Sequence, residues 1–350
     1  MASSQTHPRV AIVGATGAVG REMLTLLEER AFPLESLRLL ASSRSAGAEI
    51  PFRGQSLTVE ELGERSFENI DLALFSAGSG VSKQFAPLAV EQGAVVVDNS
   101  SAFRMDDDKA LVVPEINGDE IDRVRERGPA IIANPNCSTI IMLMAVTPLR
   151  AAFGLKRAVV ATYQAASGAG AAAMEELRTQ TREALDDQPL TMRVFDQPYA
   201  FNLFSHNSDI GPDGYNTEER KLVLESRKIW GDPSVRIAAT CVRVPVLRAH
   251  SEAINLTLAS PVDEATARRA LAEAPGVEIV DDRKGNRFPT PLLASGRDPV
   301  LVGRLRLDPS QTDDNGACHG LELFAAGDQI RKGAALNAIQ IAERWFDFDA

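Results

Sequence analysis

Cys137 lies where a short buried strand is followed by an apolar helix, within the segment NPNCST (Asn134–Thr139). A thiol at the N-terminus of a helix is exposed to the positive end of the helix dipole, which favours the nucleophilic thiolate. Most lone cysteines are instead small buried side chains without a chemical role. Cys241, inside an apolar strand pattern, fits that second description, whereas the polar neighbours of Cys137 favour a nucleophile.

A reactive cysteine needs a base that is distant in sequence and close in the fold. Of the 4 histidines, His250 stands between two predicted strands and His206 lies in a long loop. Spacing alone does not select His250, and Cys318 beside His319 is a weaker alternative pair. Arg243, a little before His250, could bind a substrate carboxylate or pair with a surface acid.

A glycine-rich turn connects the first predicted strand to the first predicted helix. The segment VAIVGATGAVG contains Gly14, Gly17 and Gly20. Glycine permits a tight turn and lets backbone N–H groups approach a pyrophosphate at the helix N-terminus. The GxxGxxG spacing differs from the usual GxGxxG and also fits an ordinary strand–turn–helix connection. Its place in the first βα unit favours a dinucleotide site.

The end of the second predicted strand indicates which dinucleotide is bound. The segment LASSRS (Leu40–Ser45) lacks the acid that usually holds the ribose 2′-hydroxyl of NAD, and Glu35 precedes the strand. Arg44, with Ser42 and Ser45, could instead bind a 2′-phosphate. The alternative is an arginine in a solvated loop. This pattern favours NADP over NAD.

Short apolar runs alternate with helical patterns in the first third of the chain, which is typical of βαβ units in a parallel sheet. The predicted strands there are Arg9–Val13, Leu37–Ala41, Asp71–Phe75, Ala94–Asp98 and Ala130–Ala133. The second half carries longer predicted strands, at Arg157–Gln164, Val235–Pro245 and Ser251–Ala259. Helices are predicted over Ala171–Leu185, Glu218–Trp230 and Gly333–Trp345, and a long ordered loop over Asp186–Gly214.

Length and composition limit the possible classes of protein. A chain of 350 residues predicts roughly two domains, with a boundary close to Asn136. The 37 basic and 48 acidic residues give a net charge of −11, which argues against a general nucleic-acid surface but allows a local basic pocket. Only 3 cysteines, without CxxC spacing, predict neither a disulfide framework nor a zinc site. A polar N-terminus and short apolar runs predict a cytoplasmic protein without a membrane span.

The chain resembles the aspartate-semialdehyde dehydrogenases along nearly its whole length. The matching segments occur in the family's order: GATGAVG (Gly14–Gly20), DNSSAFRM (Asp98–Met105), LVVPEIN (Leu111–Asn117), NPNCST (Asn134–Thr139), YQAASGAG (Tyr163–Gly170), EERKLVLESRKI (Glu218–Ile229), RVPVLRAH (Arg243–His250) and RKGAALNAIQIAE (Arg331–Glu343).

The resemblance implies a fold and a reaction. The fold is α/β, with an N-terminal Rossmann-type NADP-binding domain and an α+β catalytic and dimerisation domain of the glyceraldehyde-3-phosphate dehydrogenase-like type. The first domain spans residues 1–136, completed by a C-terminal helix at 329–350, and the second spans 137–328. The reaction interconverts 4-phospho-L-aspartate with L-aspartate 4-semialdehyde and phosphate in a homodimer. The product feeds biosynthesis of lysine, threonine, methionine and isoleucine.

The resemblance also implies roles for individual residues. Cys137 is the nucleophile and His250 the acid–base group. Gln164 orients the reacting acyl or aldehyde group, while Glu218 and Arg243 hold the amino-acid end of the substrate.

The resemblance implies contacts to the phosphate and to the cofactor as well, and it implies no bound metal. Arg104 and Lys221 bind the phosphate. The implied cofactor contacts are Gly14, Thr16, Gly17, Ala18, Val19, Arg44, Ser45, Ser167, Gly168 and Gln329. Two positions depart from the family, because Ala48 stands where many relatives have lysine and Gln329 replaces a common asparagine near the nicotinamide.

Two other functions compete with this interpretation. N-acetyl-glutamyl-phosphate reductases also combine a cysteine, a histidine and an acyl phosphate, but the Glu218–Lys221 segment and the RVPV…H spacing favour the aspartate enzyme. A catalytically silent relative would have kept only the fold. Retention of Cys137, Gln164, Arg243 and His250 argues against that alternative.

Overall fold

The computed structural model describes residues 7–348 of the chain. They separate into two compact units. The first unit contains the chain up to Asn136 together with the C-terminal segment from Ala334, and the second contains Cys137–Gly333.

The first unit is built on an eight-stranded sheet in the order β3-β4-β2-β1-β5-β6-β8-β7. Its strands are β1 (Arg9–Val13), β2 (Ser36–Ala41), β3 (Glu49–Phe52), β4 (Gln55–Glu61), β5 (Leu72–Phe75), β6 (Val95–Asp98), β7 (Ala110–Leu111) and β8 (Ile131–Ala133). All neighbouring strands pair in parallel except β3 and β4. The five strands predicted from buried apolar runs are confirmed. This is the Rossmann-type architecture expected for the N-terminal part.

The antiparallel β3–β4 hairpin is absent from the sequence prediction. Its turn consists of Arg53 and Gly54, both with positive φ (47° and 76°), as a type I′ turn requires. Arg53 is an unusual residue at such a position, which explains why the turn is hard to recognise in the sequence.

Helices cover both faces of this first sheet. They are α1 (Ala18–Glu29), α2 (Ser79–Glu91), α3 (Pro114–Asn117) and α4 (Asp119–Arg125). Met23, Leu26 and Leu27 of α1 belong to the core on one face, and Ala86 and Ala89 of α2 to the core on the other. Burial on both faces explains why the central strands are continuous apolar runs.

The second unit contains a seven-stranded mixed sheet in the order β10-β11-β9-β12-β15-β14-β13. Its strands are β9 (Leu155–Gln164), β10 (Phe204–Ser205), β11 (Arg236–Arg243), β12 (His250–Leu258), β13 (Val277–Ile279), β14 (Val300–Leu307) and β15 (Gly320–Gly327). Its helices are α5 (Cys137–Phe153), α6 (Ala171–Leu185), α7 (Thr217–Trp230), α8 (Glu264–Ala272) and α9 (Pro291–Ala294).

Three boundaries predicted in the second half of the chain differ in the structure. The strand predicted over Val235–Pro245 ends at Arg243, since Pro245 has no N–H for a strand ladder. The strand predicted over Ser251–Ala259 begins at His250, which is therefore the first residue of β12. The predicted final helix becomes a π-helical turn at Arg331–Ala335 followed by α10 (Leu336–Trp345), which packs on α1 and α4.

Helix α5 explains how the second sheet is buried on one face. Residues 138–146 are all buried, which is typical of a helix surrounded by protein. It packs on β9, β12, β14 and β15. Along β9, Thr162 and Gln164 are buried whereas Tyr163 is 37% exposed. The alternation follows from the two-residue repeat of a strand and directs Gln164 to the buried face.

Among residues 7–348, no helix is both long enough and apolar enough to cross a membrane.

Candidate active site

Cys137 is the first residue of α5, as its sequence context predicted. Its side chain is partly buried. A Cβ at Gly333 would lie 2.8 Å from the Cβ of Cys137, so only glycine fits beside the cysteine at that position.

Gln164, the last residue of β9, connects three elements of the second unit. Its side-chain Nε2 lies 3.0 Å from Ser138 Oγ, 3.3 Å from Thr162 Oγ1 and 3.4 Å from Glu218 Oε1. Ser138 follows Cys137 in α5, and Glu218 is in the first turn of α7. Gln164 is buried, so these contacts tie the start of α5 to the start of α7.

Glu218 and Lys221 form an ion pair near the N-terminus of α7. Lys221 Nζ lies 3.0 Å from Glu218 Oε2. The helix starts where it does because Asn216 and Glu219 form a reciprocal capping box. Glu218 is buried while the Lys221 side chain is 27% exposed. A buried carboxylate and a more accessible ammonium therefore sit side by side.

The Arg243 guanidinium is buried and held from three sides. Its Nη1 donates to the Ala165 carbonyl at 3.2 Å, and its Nη2 donates to His206 Nε2 at 2.9 Å. Its Nε lies 3.4 Å from Asn207 Oδ1. Burial lowers the pKa of Arg243 from its ordinary value, although the group remains a cation at neutral pH.

His206 and Asn207 were missed as site residues by the sequence analysis. Strand β10 pairs antiparallel with β11, with Phe204 opposite Arg243, and this pairing brings His206 beside the guanidinium. Burial, reinforced by the Arg243 charge, lowers the pKa of His206 to about 4. The neutral ring can therefore accept the arginine's hydrogen bond. No local signal could have indicated this, because the contact arises from long-range strand pairing.

His250 is fully buried and held in one tautomer. The backbone N–H of Ala165 donates to His250 Nδ1 at 3.0 Å, so the neutral ring carries its proton on Nε2. Burial, followed by the nearby Arg243 charge, lowers the pKa of His250 to about 3. Nε2 has no hydrogen-bond partner among the described residues. His250 therefore presents a neutral N–H donor.

Gly168 lies against this imidazole, and Ser167 next to it is bonded to Gln329. A Cβ at Gly168 would lie 2.9 Å from His250 Cε1 and 3.0 Å from Arg243 Nη1, so the glycine lets both groups approach the backbone. Gln329 is buried and donates from Nε2 to Ser167 Oγ.

The glycine turn of the first unit is shaped to receive a dinucleotide. Gly14 has φ +87°, and a Cβ there would lie 2.8 Å from the Ser76 carbonyl oxygen. A Cβ at Gly20 would lie 2.8 Å from Ala15 Cα. Gly17 is the N-cap of α1, and within the described residues this helix has neither a side-chain cap nor an acid in its first turn. Open N–H groups at a helix N-terminus fit a pyrophosphate.

The residues predicted around a 2′-phosphate lie at the surface of the same unit. Arg44 is exposed, and Ser45 is half-buried. Thr16 Oγ1 lies 3.4 Å from Ser45 Oγ, which connects the glycine turn to the loop after β2. This arrangement fits NAD(P), with a cation available for a 2′-phosphate.

Arg104 is buried within the first unit. Its Nε donates to the Asn134 carbonyl at 2.9 Å and its Nη2 to the Asn99 carbonyl at 2.8 Å. Two backbone oxygens thus orient the guanidinium.

The structure therefore groups the predicted residues into two sets. The second unit brings together Gln164, Ser167, Gly168, Glu218, Lys221, Arg243, His250 and Gln329 through the contacts above, and Cys137 adjoins them through Ser138. The first unit carries Gly14, Thr16, Gly17, Ala18, Val19, Arg44, Ser45 and Arg104.

Comparison with known proteins identifies the family. Residues 9–124 match the model of the semialdehyde dehydrogenase NAD binding domain, and residues 146–332 match that of the semialdehyde dehydrogenase dimerisation domain. An aspartate-semialdehyde dehydrogenase from Synechocystis sp. is 53% identical over 335 residues, covering 96% of each chain.

Solved structures agree with that assignment. The crystal structure of aspartate semialdehyde dehydrogenase II from Vibrio cholerae complexed with ASA is 44% identical, with a TM-score of 0.91, covering 97% of this chain and 98% of that one. The Candida albicans aspartate semialdehyde dehydrogenase with NADP is 25% identical, with a TM-score of 0.73 and coverage of 97% and 98%. The chain thus belongs to the aspartate-semialdehyde dehydrogenase family and is an oxidoreductase with that family's activity, built on an NAD(P)-binding domain and a dimerisation domain.

Proposed function

We propose that the chain uses NADPH to convert 4-phospho-L-aspartate to L-aspartate 4-semialdehyde and phosphate through a thioester on Cys137. The product serves biosynthesis of lysine, threonine, methionine and isoleucine. The observation that carries this proposal is Cys137 at the first position of α5, with Gln164 bonded to the adjacent Ser138. We assign the unit that ends at Asn136 and resumes at Ala334 to the NADP-binding domain, and Cys137–Gly333 to the catalytic and dimerisation domain. Residues 329–333, expected with the C-terminal helix, thus belong to the second domain.

The covalent steps follow from the nucleophile. The Cys137 thiolate attacks the acyl carbon of the phosphoanhydride, the carbonyl oxygen gains negative charge, and collapse breaks the C–O bond and releases phosphate. Bound NADPH would supply the hydride that reduces the resulting thioester. The thiohemiacetal anion then expels the Cys137 sulfur and releases the aldehyde.

His250 suits the role of stabilising charge on that oxygen. The family resemblance implies that His250 is the acid–base group. Its fixed Nε2–H supports the part of that role in which the ring donates a hydrogen bond or a proton. A buried N–H donor stabilises a developing oxyanion strongly because the site does not reorganise during the reaction. The tetrahedral intermediate before phosphate release and the later thiohemiacetal anion both carry negative charge on the former carbonyl oxygen. The Nε2–H of His250 could therefore stabilise both of them.

Charge complementarity supports an α-amino-acid substrate. Arg243 is positioned for the α-carboxylate, with which guanidinium forms paired hydrogen bonds. Glu218, buried in the same unit, is suited to the α-ammonium group. Lys221 and Arg104 supply positive charge for the phosphate. The complex of the Vibrio cholerae relative with ASA supports the same substrate class.

NADP is the proposed cofactor. Arg44 is exposed next to the Thr16–Ser45 contact and is available to a 2′-phosphate. Ser167, Gly168 and Gln329 are proposed for the nicotinamide end, as the family implies. The NADP-bound relative from Candida albicans supports this choice.

The assay that tests the function follows NADPH formation from aspartate semialdehyde, phosphate and NADP. We expect the wild-type chain to turn over and Cys137→Ala to lose all measurable activity while still binding NADP in calorimetry. Cys241→Ala, at a buried cysteine whose pKa is raised by burial, is the matched control and keeps its activity. Near-normal turnover by Cys137→Ala would reject the thioester mechanism.

A second assay measures NADPH oxidation in the reverse direction with 4-phospho-aspartate and with N-acetyl-glutamyl phosphate. The substrate that is reduced distinguishes between the two classes of acyl-phosphate reductase.

We also propose a cytoplasmic homodimer. The second sheet exposes Tyr163, which packs against Phe324 of β15 at a ring distance of 6.2 Å, on the face opposite Gln164. A matched dimerisation-domain model supports pairing through this unit. Tyr163→Arg should lower the mass measured by light scattering toward that of a monomer. An unchanged mass would place the interface elsewhere.

A further inference from the structure

Ala249, immediately before His250, has a backbone conformation that alanine rarely adopts. Its φ is +73°, in the left-handed region where a Cβ is disfavoured. Such strain persists only where the surroundings hold the backbone, and it tends to occur at functional sites. The residue before it, Arg248, is fixed by a 2.6 Å ion pair with the buried Asp328.

Gln329 holds Ala249 directly. Its Oε1 accepts the Ala249 N–H at 2.9 Å, and its Nε2 donates to Ser167 Oγ. The side chain is 3% exposed, so both ends of the carboxamide are engaged inside the second unit. Gln329 therefore bridges two chain segments, the turn before β12 and the short helical turn at Ala166–Ala169.

These same two segments enclose the His250 imidazole. The residue preceding the short turn, Ala165, donates to Nδ1 at 3.0 Å, and Gly168 lies against the ring. The other segment carries the His250 backbone. A bridge between the segments thus determines where Nε2–H points.

We propose that Gln329 is a positioning residue that keeps Ala249 in the left-handed conformation and thereby orients His250. This inference rests on the proposed function of His250. It assigns Gln329 a role in the chemical step in addition to the nicotinamide contact that the family implies.

The first test is Gln329→Met in the full-length chain, because methionine preserves volume but makes neither hydrogen bond. We expect kcat to fall by about tenfold to a hundredfold, the effect of misplacing a reacting group by a fraction of an ångström to one ångström. The Kd of NADP, measured by calorimetry, should rise by a smaller factor than the factor by which kcat falls. An increased Kd with an unchanged kcat would identify a cofactor contact instead, and no change in either would also overturn the proposal.

The second test is rescue by Ala249→Gly. Glycine adopts positive φ without a Cβ penalty, so the double variant Gln329→Met/Ala249→Gly should recover most of the lost kcat. Ala249→Gly alone should stay within about twofold of wild type, since it retains the Gln329 bond. A double variant no faster than Gln329→Met refutes the link through Ala249.

Two controls keep the outcomes separate. Ser167→Ala removes only the hydrogen bond that Gln329 Nε2 donates to Ser167 Oγ and leaves the bond to Ala249 in place. Its kcat should therefore fall less than that of Gln329→Met. An equal or larger fall would contradict the proposal. If Gln329→Met does not fold, the double variant should fold and turn over, and failure of both to fold would overturn the proposal. Wild-type activity on the semialdehyde is measured first, because its absence would reject the proposed function rather than the role of Gln329.

Discussion

The two units prepare their ligand sites in opposite ways. In the first unit the glycine turn offers backbone N–H groups at the start of α1, and the side chains of Thr16 and Ser45 lie 3.4 Å apart beside it. In the second unit, Gln164, Arg243 and His250 are buried. Gln164 and Arg243 each have several hydrogen-bond partners, and His250 accepts a hydrogen bond from the Ala165 N–H. Backbone groups suit a cofactor that must bind and leave, whereas the reacting carbon needs side chains that do not move. Substitutions at the buried side chains of the second unit should therefore act on kcat or on the KM of the semialdehyde, and those near the glycine turn of the first on cofactor affinity.

The largest expected effect is at His250. His250→Ala should lower kcat by about 10² to 10⁴-fold, and His250→Gln, which keeps an N–H donor, should lose less. His319→Ala, a partly buried histidine of the same unit, is the matched control and should remain active. Equal losses in the Ala and Gln variants would show that proton transfer, rather than hydrogen-bond donation, is the essential role.

The pH profile tests the same side chain. Because the pKa of His250 is lowered to about 3, the ring is neutral above that value, and its Nδ1 gains a proton and stops accepting from Ala165 only as the pH falls toward it. No imidazole ionisation should appear in kcat between about pH 5 and 8. A histidine-dependent step near pH 6.5 would contradict the neutral donor.

His206 should give a smaller effect. His206→Ala leaves Arg243 Nη2 without its 2.9 Å acceptor and should raise the KM of the semialdehyde about tenfold, since the loss of one hydrogen bond to a charged group is involved. His206→Gln offers a carbonyl acceptor and should recover part of that loss. The pKa of about 4 keeps the ring an acceptor at neutral pH, and this property is lost as the pH falls through that value. An unchanged KM for His206→Ala would show that Arg243 does not depend on this partner.

Arg44 tests the first unit. Arg44→Ala should raise the KM of NADP by about fivefold to tenfold and leave kcat and the KM of NAD nearly unchanged, because an exposed cation contributes modestly. Arg65→Ala, an exposed arginine paired with Glu68 in the same unit, is the control. A fall in kcat for Arg44→Ala would contradict the expectation that substitutions near the glycine turn affect only cofactor affinity.

The last prediction concerns stability rather than activity, at Glu252, whose carboxylate oxygens have no partner among the described residues. Burial raises the pKa of Glu252 well above its ordinary 4.5. The folded chain keeps this proton while the unfolded chain releases it, so its favourable contribution is complete below pH 4.5 and declines as the pH rises. Relative to wild type, Glu252→Gln should gain up to about 1.4 kcal/mol per pH unit above that value in urea unfolding. If the difference in unfolding free energy between Glu252→Gln and wild type does not vary with pH, Glu252 is ionised in the folded chain.

The sequence predicts the parts that depend on local patterns. Buried strands of the first unit appear as apolar runs, and the position of Cys137 follows from polar residues that precede an apolar helix. Gly14 and Gly20 indicate close backbone approach because only glycine fits there.

Other features depend on contacts between distant residues. The partnership of His206 with Arg243 requires the pairing of β10 with β11, and β10 has only two residues. Positive φ at Ala249 cannot be read from alanine, which has no preference for it. Strand β15 pairs with β12 and β14, and β14 also pairs with β13, so both strands depend on partners that their own sequences do not indicate.

The close approach of Gly333 to Cys137 has a consequence for inhibitor design. A methyl group placed at Gly333 would lie 2.8 Å from the Cys137 Cβ, so the Gly333 backbone lies against the base of this side chain. We expect a covalent adduct on the sulfur to be accepted best when it grows away from Gly333. Compact electrophiles that resemble the acyl group meet that requirement more easily than branched ones.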